Sequence, residues 1–157
     1  MTESQPIRFT FAKINTDEFA IVTEKYDLEI IATMQLGLAF NFVKEETSIG
    51  VQAKCVFHQE GTVLIVIAVT CWFKIILEDW DTIYQEDTKQ VVLSRINAMH
   101  FASLTISTTR GVLHAKTETF PLNNLMIPPV NLNDLIKEDV SIIGFQQVAQ
   151  ATPGTNG

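Results

Sequence analysis

The feature that most constrains this chain is an apolar connector that lies between two predicted helices and is bounded by prolines. The segment 108–136 reads TTRGVLHAKTETFPLNNLMIPPVNLNDLI and contains Pro121, Pro128 and Pro129. Proline lacks a backbone N–H donor and moves the preceding residue out of helical geometry, so these positions predict an extended connector. The connector is unusually apolar for a loop, which predicts that it packs against other parts of the protein. Its apolar residues are Phe120, Leu122, Leu125, Met126, Ile127 and Val130.

Four segments ahead of the connector are predicted to be β-strands. Three of them alternate apolar and polar residues, and the fourth is a continuous apolar run rich in β-branched residues. Lys74 interrupts that run, so it predicts a buried strand rather than a membrane span. Glu60-Gly61 predicts a tight turn before it. We expect an antiparallel sheet in meander order from residues 7–22, which contain a kink, 29–44, 48–58 and 62–77.

The pattern changes to helical spacing after this sheet. Asp87 or Thr88 predicts the N-terminal cap of a long helix that ends at about Thr117. Gly111 lies inside the helix and costs about 1 kcal/mol relative to alanine, so a break or bend is expected there. One stripe of the helix is small or polar and predicts close packing against another helix, including one from a second subunit. This predicted interface consists of Arg95, Ala98, Ala102 and Thr105.

Strands followed by helices predict an α+β fold. We expect a four-stranded antiparallel sheet backed on one face by the long helix, the connector and a short C-terminal helix. That short helix is predicted from Asn131 or Asn133 through Glu138. Residues 1–145 are expected to form one domain, and the polar residues 146–157 are expected to form a disordered tail.

Charge and the N-terminal sequence exclude several classes of partner. The chain has 18 acidic and 11 basic residues and a net charge of −7, which predicts that it binds neither nucleic acid nor anionic lipid. The N-terminal MTESQPIRF lacks a basic region followed by an apolar core, so we expect no secretory signal and a cytosolic location. In a tight hairpin Cys55 and Cys71 would not meet, so both are predicted to be free, mostly buried thiols in a reducing compartment.

Catalytic and metal-binding patterns are absent from the sequence. His58, His100 and His114 are not spaced from Cys, Asp or Glu as zinc or iron ligands would be. No nucleophile elbow, metalloprotease, phosphate-loop or dinucleotide motif occurs. Paired carboxylates at the ends of elements are expected to be soluble surface rather than acid–base groups. We therefore predict no enzyme activity, no catalytic residue, no metal and no cofactor.

The apolar run 62–77 contains more apolar surface than one covering layer requires. Both of its faces carry apolar side chains, whereas a sheet backed by helices on one side needs only one. The second face is therefore expected to meet another subunit, another helix layer or a non-polar client. An adaptable apolar surface suits binding to many unfolded sequences.

The order Arg110-Gly111, Phe120-Pro121 and PPVNLNDLI resembles the SecB family of protein-export chaperones. The gap of residues 112–119 is longer than in typical members, which identifies a divergent relative. The resemblance implies an ATP-independent holdase that binds unfolded client polypeptides and assembles as a homotetramer, a dimer of dimers. It also implies a client groove between sheet and connector. The candidate client-binding residues are Leu36, Leu38, Phe40, Ile65, Ile67, Val69, Phe120, Leu122 and Leu125.

Two cellular roles and one other class remain open on the sequence. A SecB-like chaperone hands export precursors to the motor SecA, or protects the aggregation-prone antitoxin of a toxin–antitoxin pair. Residues 146–157 contain no charged side chain, which weakens the SecA assignment because export chaperones commonly end in a charged segment. The alternative class is a small α+β protein whose sheet encloses a hydrophobic small molecule or is covered wholly by oligomer contacts.

Overall fold

A computed structural model describes residues 5–23 and 25–151, which adopt an α+β fold. The predicted fold class is confirmed, but the main antiparallel sheet has five strands rather than four, and a three-stranded sheet accompanies it. The strands are β1 (Phe9–Ile21), β2 (Thr33–Val43), β3 (Ser48–Gln59), β4 (Thr62–Ile75), β5 (Tyr84–Gln85), β6 (Gln90–Leu93), β7 (Val140–Ile142) and β8 (Gln146–Ala151). The α-helices are α1 (Leu77–Ile83), α2 (Arg95–Thr117) and α3 (Leu132–Leu135), and 3₁₀ turns occupy Lys44–Glu46 and Pro121–Asn124.

The strand order of the main sheet is β1-β4-β3-β2-β8, so the predicted meander order is wrong. β1 does not pair with β2, because the long connection between them carries the chain across the sheet to the far side of β4. The Val22 N–H donates to the Leu64 carbonyl at 2.8 Å where that crossing begins. Two bulges in β1 account for the predicted kink.

The β3–β4 hairpin forms at the predicted turn. Gln59 pairs with Thr62, and Glu60 and Gly61 have φ of 50° and 80°, the left-handed geometry that two-residue hairpins need. A bulge near the end of β3 shifts the register by one residue from the expected pairing. Both cysteines are free and buried, as predicted.

The predicted start of the long helix is wrong. α2 begins at Arg95, and its N-cap is Ser94, whose side chain accepts a hydrogen bond from the Asn97 N–H. The preceding residues form a β5–β6 hairpin instead, because β6 has the alternating burial of a strand and pairs with β7. The expected break at Gly111 does not occur, because the helix continues through that residue. The helix ends at Thr117, as predicted.

The C-terminal region is more ordered than predicted. α3 ends at Leu135, earlier than expected, and Asn131 caps it by accepting from the Asn133 N–H. Residues 146–151 form β8, so the prediction of a disordered tail is wrong there; residues 152–157 lie outside the described residues. β8 forms because β2 offers it a free edge and because Val148 packs against the apolar core.

The apolar core lies between the main sheet and α2, which packs on β3 and β4. An aromatic cluster joins the layers: the Phe73 and Phe101 rings stack at 4.6 Å, and Phe9 meets Phe101 edge-on at 4.9 Å. The opposite face carries no helix within residues 5–23 and 25–151, and we call it the open face. Among the helices described, none is long and apolar enough to cross a membrane.

Candidate functional site

Two arginines of α2 hold the segment that follows the helix: Arg110 binds the connector, and Arg95 binds α3. The Arg110 guanidinium donates from Nε to the Ile127 carbonyl at 2.8 Å and from Nη2 to the Pro128 carbonyl at 3.2 Å. Arg95, at the start of α2, donates from Nε to the Ile136 carbonyl at 2.7 Å. The connector therefore runs back along α2 in the opposite direction. These bonds satisfy carbonyl groups in a segment whose prolines remove backbone donors.

Burial fixes the inner side of the connector. Its inward side chains are at most 3% exposed and belong to the same apolar core as the second strand, so the prediction that the connector packs against the protein is confirmed. The inward residues are Leu122, Leu125 and Ile127. Phe120 and Met126 point the other way and are 37% and 54% exposed. The connector is thus amphipathic, with one side in the core and one side in solvent.

A cleft of about 480 Å³ lies between α2 and the connector. We call it the connector cleft. Its connector wall is apolar, and its helix wall is lined partly by hydroxyl groups, so it offers both dispersion contacts and hydrogen-bonding partners. Its main lining residues are Ser103, Ile106 and Ser107 from α2 and Met126, Pro129 and Val130 from the connector.

The predicted client-binding residues do not form this surface. Eight of the nine belong to the apolar core and are at most 3% exposed, so a client could not touch them in this conformation. They are Leu36, Leu38, Phe40, Ile65, Ile67, Val69, Leu122 and Leu125. Phe120 is the predicted residue that reaches solvent. The alternating sequence pattern assigned these side chains to the apolar face of each strand. The pattern does not tell whether that face is covered by the protein itself or is open to a client.

The predicted interface stripe on α2 also faces inward. Ala98, Ala102 and Thr105 are 0% exposed, and the Thr105 hydroxyl donates to the Phe101 carbonyl at 2.8 Å. Small residues do allow close approach here, but the partner layer is the sheet of the same chain rather than a second helix. Arg95 is half-buried and binds Asn133 of α3 and the carbonyl of Ile136, the C-cap of α3.

An exposed apolar margin lies on the other side of α2, along β1. β1 is an edge strand, and nearly all of its residues are exposed. Phe11 and Ile14 pair with Phe73 and Cys71 on the α2 side of the sheet and are 39% and 52% exposed. The outer backbone edge of β1 is free to pair with another extended chain.

The open face mixes polar side chains with apolar ones such as Val66 and Trp72, and the carboxylates of Asp17 and Glu18 on it already have partners. Asp17 accepts hydrogen bonds from Asn15 Nδ2 at 2.6 Å, Gln52 Nε2 at 2.8 Å and Thr70 Oγ1 at 2.5 Å. Glu18 pairs with Lys54 Nζ at 3.2 Å. These contacts tie three strands together across β1, β4 and β3, so the face is held in one arrangement.

The described part of the chain contains neither an activated thiol nor a cluster of metal ligands. Burial raises the pKa of the Cys55 thiol to about 12 and also raises the pKa of Cys71, so both thiols are protonated at neutral pH. His58 Nδ1 is 2.6 Å from the Thr33 hydroxyl, a bond between two adjacent strands. No group of three or more His, Cys, Asp and Glu residues is placed to hold a metal ion within residues 5–23 and 25–151.

Comparisons of the chain with protein-family models, with curated proteins and with solved structures found no match. The likeness to SecB therefore rests on the residues of the Arg-Gly, Phe-Pro and PPVNLNDLI pattern and on the order of the elements. The sequence did not predict that the guanidinium groups of Arg95 and Arg110 bind backbone carbonyls. A signal for Arg110 was present, since a long donor side chain beside a proline-rich segment can bind carbonyls that have no backbone partner.

Proposed function

We propose that this protein is an ATP-independent holdase that binds unfolded polypeptide in the connector cleft. The observation that carries the proposal is the amphipathic connector: its inner side is anchored in the core, while Met126 beside the cleft is 54% exposed. Methionine is flexible and polarisable, so it adapts to side chains of different shape. Such a wall suits a protein that binds many different unfolded sequences weakly and does not bind folded proteins.

Client capture would combine apolar burial with main-chain contacts. Each Å² of apolar surface removed from water contributes about 25 cal/mol, so a short client segment gains a few kcal/mol from the cleft. The hydroxyl groups of Ser103 and Ser107 offer hydrogen bonds to a client backbone without reading its sequence. Several such sites in one assembly would add avidity, and nucleotide has no part in the cycle.

Assembly is the second element of the proposal. The resemblance implies a homotetramer built as a dimer of dimers, and the free edge of β1 supports it as a surface for self-association. Two copies joined edge to edge at β1 would bury Phe11 and Ile14 and continue the sheet. This interface replaces the inward-facing stripe on α2.

Of the two cellular roles, we favour the dedicated protection of an antitoxin over general export through SecA. In the SecB family, acidic surface contributes to docking on SecA. On the open face the carboxylates of Asp17 and Glu18 are held by neighbouring side chains, which leaves them less available to a basic partner. The uncharged segment that follows Phe145 supports the same choice.

The decisive experiment changes the solvent side of the cleft without changing the core. The variant Met126→Glu places a charge where a client's apolar side chains would lie, and it spares Val130, which packs partly against the core. We expect suppression of aggregation of a denatured client to weaken by at least about tenfold, equivalent to roughly 1.4 kcal/mol of binding free energy. Ile96→Glu is the matched control, because Ile96 is a 62% exposed apolar residue of α2 outside the cleft.

Equal activity of both variants and the unchanged protein would place the client site elsewhere. Native mass spectrometry of the same samples measures assembly separately. A monomer that copurifies with a lipid and does not suppress aggregation would replace the holdase with a carrier of hydrophobic small molecules.

A further inference from the structure

Trp72 lies flat on the open face, over Gly50, where any larger residue would push the indole ring away. A Cβ built at Gly50 would come within 2.7 Å and 2.8 Å of two atoms of the indole ring, closer than carbon atoms approach. Gly50 is the direct partner of Trp72 across β3 and β4. The absent side chain therefore lets the ring rest against the backbone and turn its other side to solvent, and Trp72 is half-buried. A flat, fixed aromatic surface of this kind is typical of binding sites.

Two lysines flank this ring on the same face. Lys13 pairs with Trp72 across β1 and β4, so their Cβ atoms are about 5 Å apart. Lys74 follows Trp72 by two positions in β4, which places it on the same face about 7 Å along the strand. Both lysines are exposed, and neither forms an ion pair with any described residue. The site thus contains two cations that have no ion-pair partner among residues 5–23 and 25–151, in a chain of net charge −7.

Two carboxylates of the open face are already held by other side chains. Asp17 is held by three side-chain donors, and Glu18 is paired with Lys54. In an otherwise acidic protein, a local excess of positive charge around an exposed aromatic ring selects partners by charge as well as by apolar contact.

We propose that the open face around Trp72 is a docking surface for an acidic polypeptide segment. An apolar side chain of the segment packs on the indole, and carboxylates on either side of it bind Lys13 and Lys74. A polypeptide fits better than nucleic acid or an anionic membrane, because a net charge of −7 repels an extended polyanion, whereas two lysines match two carboxylates. The proposal goes beyond the holdase function, since this site and the connector cleft lie on opposite sides of the sheet.

Fluorescence titration tests this site directly. The probe is a short fluorescein-labelled peptide with Asp-Leu-Asp between Gly-Ser arms, and the matched probe has Lys-Leu-Lys in the same arms. Trp72 is also an internal reporter, because the second tryptophan, Trp80, is 3% exposed and stacked on Tyr84. We expect the acidic peptide to bind at least about tenfold more tightly than the basic one and to shield Trp72 from iodide quenching.

Three variants separate the parts of the surface. Lys13→Glu/Lys74→Glu should reverse the preference between the peptides, and Trp72→Ala should weaken both, whereas aggregation suppression by the connector cleft should not change. Lys89→Glu/Lys137→Glu is the control, because both lysines are exposed and lie outside the main sheet. Added salt should weaken the acidic peptide's binding in the unchanged protein.

Equal binding of the two peptides, or the same loss in the control variant, would overturn the proposal by showing that net charge alone governs binding. Tighter binding of a short oligothymidine than of the acidic peptide would overturn it in favour of a nucleic-acid site. Because the readout is peptide binding at Trp72, failure here is distinguishable from failure of the holdase assay.

Discussion

The two faces of the main sheet use the same strands for different purposes. On the face under α2, side chains such as Phe40, Ile67 and Phe73 are 0% exposed and belong to the apolar core. On the open face, β3 and β4 present Gly50 and Trp72 together with polar side chains. Side chains on one face of the sheet therefore stabilise the fold, while those on the other face are accessible to a binding partner. Mutations on the two faces should consequently separate stability from binding.

The largest effect is expected from truncation inside the covered face. Phe101→Ala removes a ring that is 1% exposed and stacks on Phe73, so it loses apolar transfer energy and leaves a cavity. We expect the free energy of unfolding to fall by about 3–5 kcal/mol, measured by urea denaturation. Trp72→Ala on the open face should cost clearly less. Equal losses would show that the open face is part of the packed core.

The next largest effect is expected where Arg110 holds the connector against α2. Arg110→Met keeps the apolar stem but removes the donors to the Ile127 and Pro128 carbonyls. We expect a loss of about 1.5–3 kcal/mol, since hydrogen bonds to charged groups contribute in that range. In this variant, the backbone amides of the connector should exchange their hydrogens faster, and the amides of β3 should change less. Arg110→Lys should rescue only part of the loss, because lysine cannot reproduce the two-pronged geometry.

A smaller effect is expected on the open face. Gly50→Ala introduces a methyl group into the space of the Trp72 ring, and the indole must move to accommodate it. We expect a cost of about 1–3 kcal/mol and a red shift of tryptophan emission. The pair Gly50→Ala/Trp72→Ala should cost less than the sum of the two single changes. Strict additivity in this double-mutant cycle would mean that the ring does not rest on Gly50.

The smallest effect concerns an exposed ion pair outside both faces. Hydrogen bonds from Arg8 to Asp79 hold the pKa of that carboxyl below its ordinary value. The stabilisation is therefore present above the unfolded pKa of about 3.9 and is lost as pH falls through the folded pKa. Arg8→Gln should raise the pKa of Asp79, measured by NMR titration, and flatten the acid limb of the stability curve slightly. An unchanged pKa would show that Arg8 does not bind Asp79 in solution.

Local signals in the sequence predicted local structure well. The Glu60-Gly61 turn, the alternation of β3 and the end of α2 at Thr117 each depend on a few neighbouring residues, and each was found as predicted. The pairing of β1 with β4 depends on residues far apart in the chain, and the alternation of β1 is compatible with either neighbour. The start of α2 was missed because the β5–β6 hairpin is only a few residues long.

The candidate site was predicted in part, for a related reason. The prolines identified a connector that is free of helix over residues 125–130, whereas Pro121–Asn124 form a 3₁₀ turn rather than extended chain. Its apolar residues correctly indicated contact with the core. The sequence could not distinguish Leu122, which is buried, from Met126, which is exposed, because an irregular segment has no period that assigns its faces. Trp72 was recognised as part of a second apolar parity, but its place over Gly50 requires the register of two strands.

The pairing of β1 with β4 also has a consequence during synthesis. β1 leaves the ribosome first, yet its partner strand begins at Thr62, roughly 40 residues later. At ~5–20 residues per second, β1 waits roughly 2–8 s with its apolar side chains unpaired. The Ile7 N–H donates a hydrogen bond to the side chain of Asn97, a residue that is synthesised later still, so the segment ahead of β1 is fixed last. For that interval the nascent protein is itself an aggregation-prone extended chain.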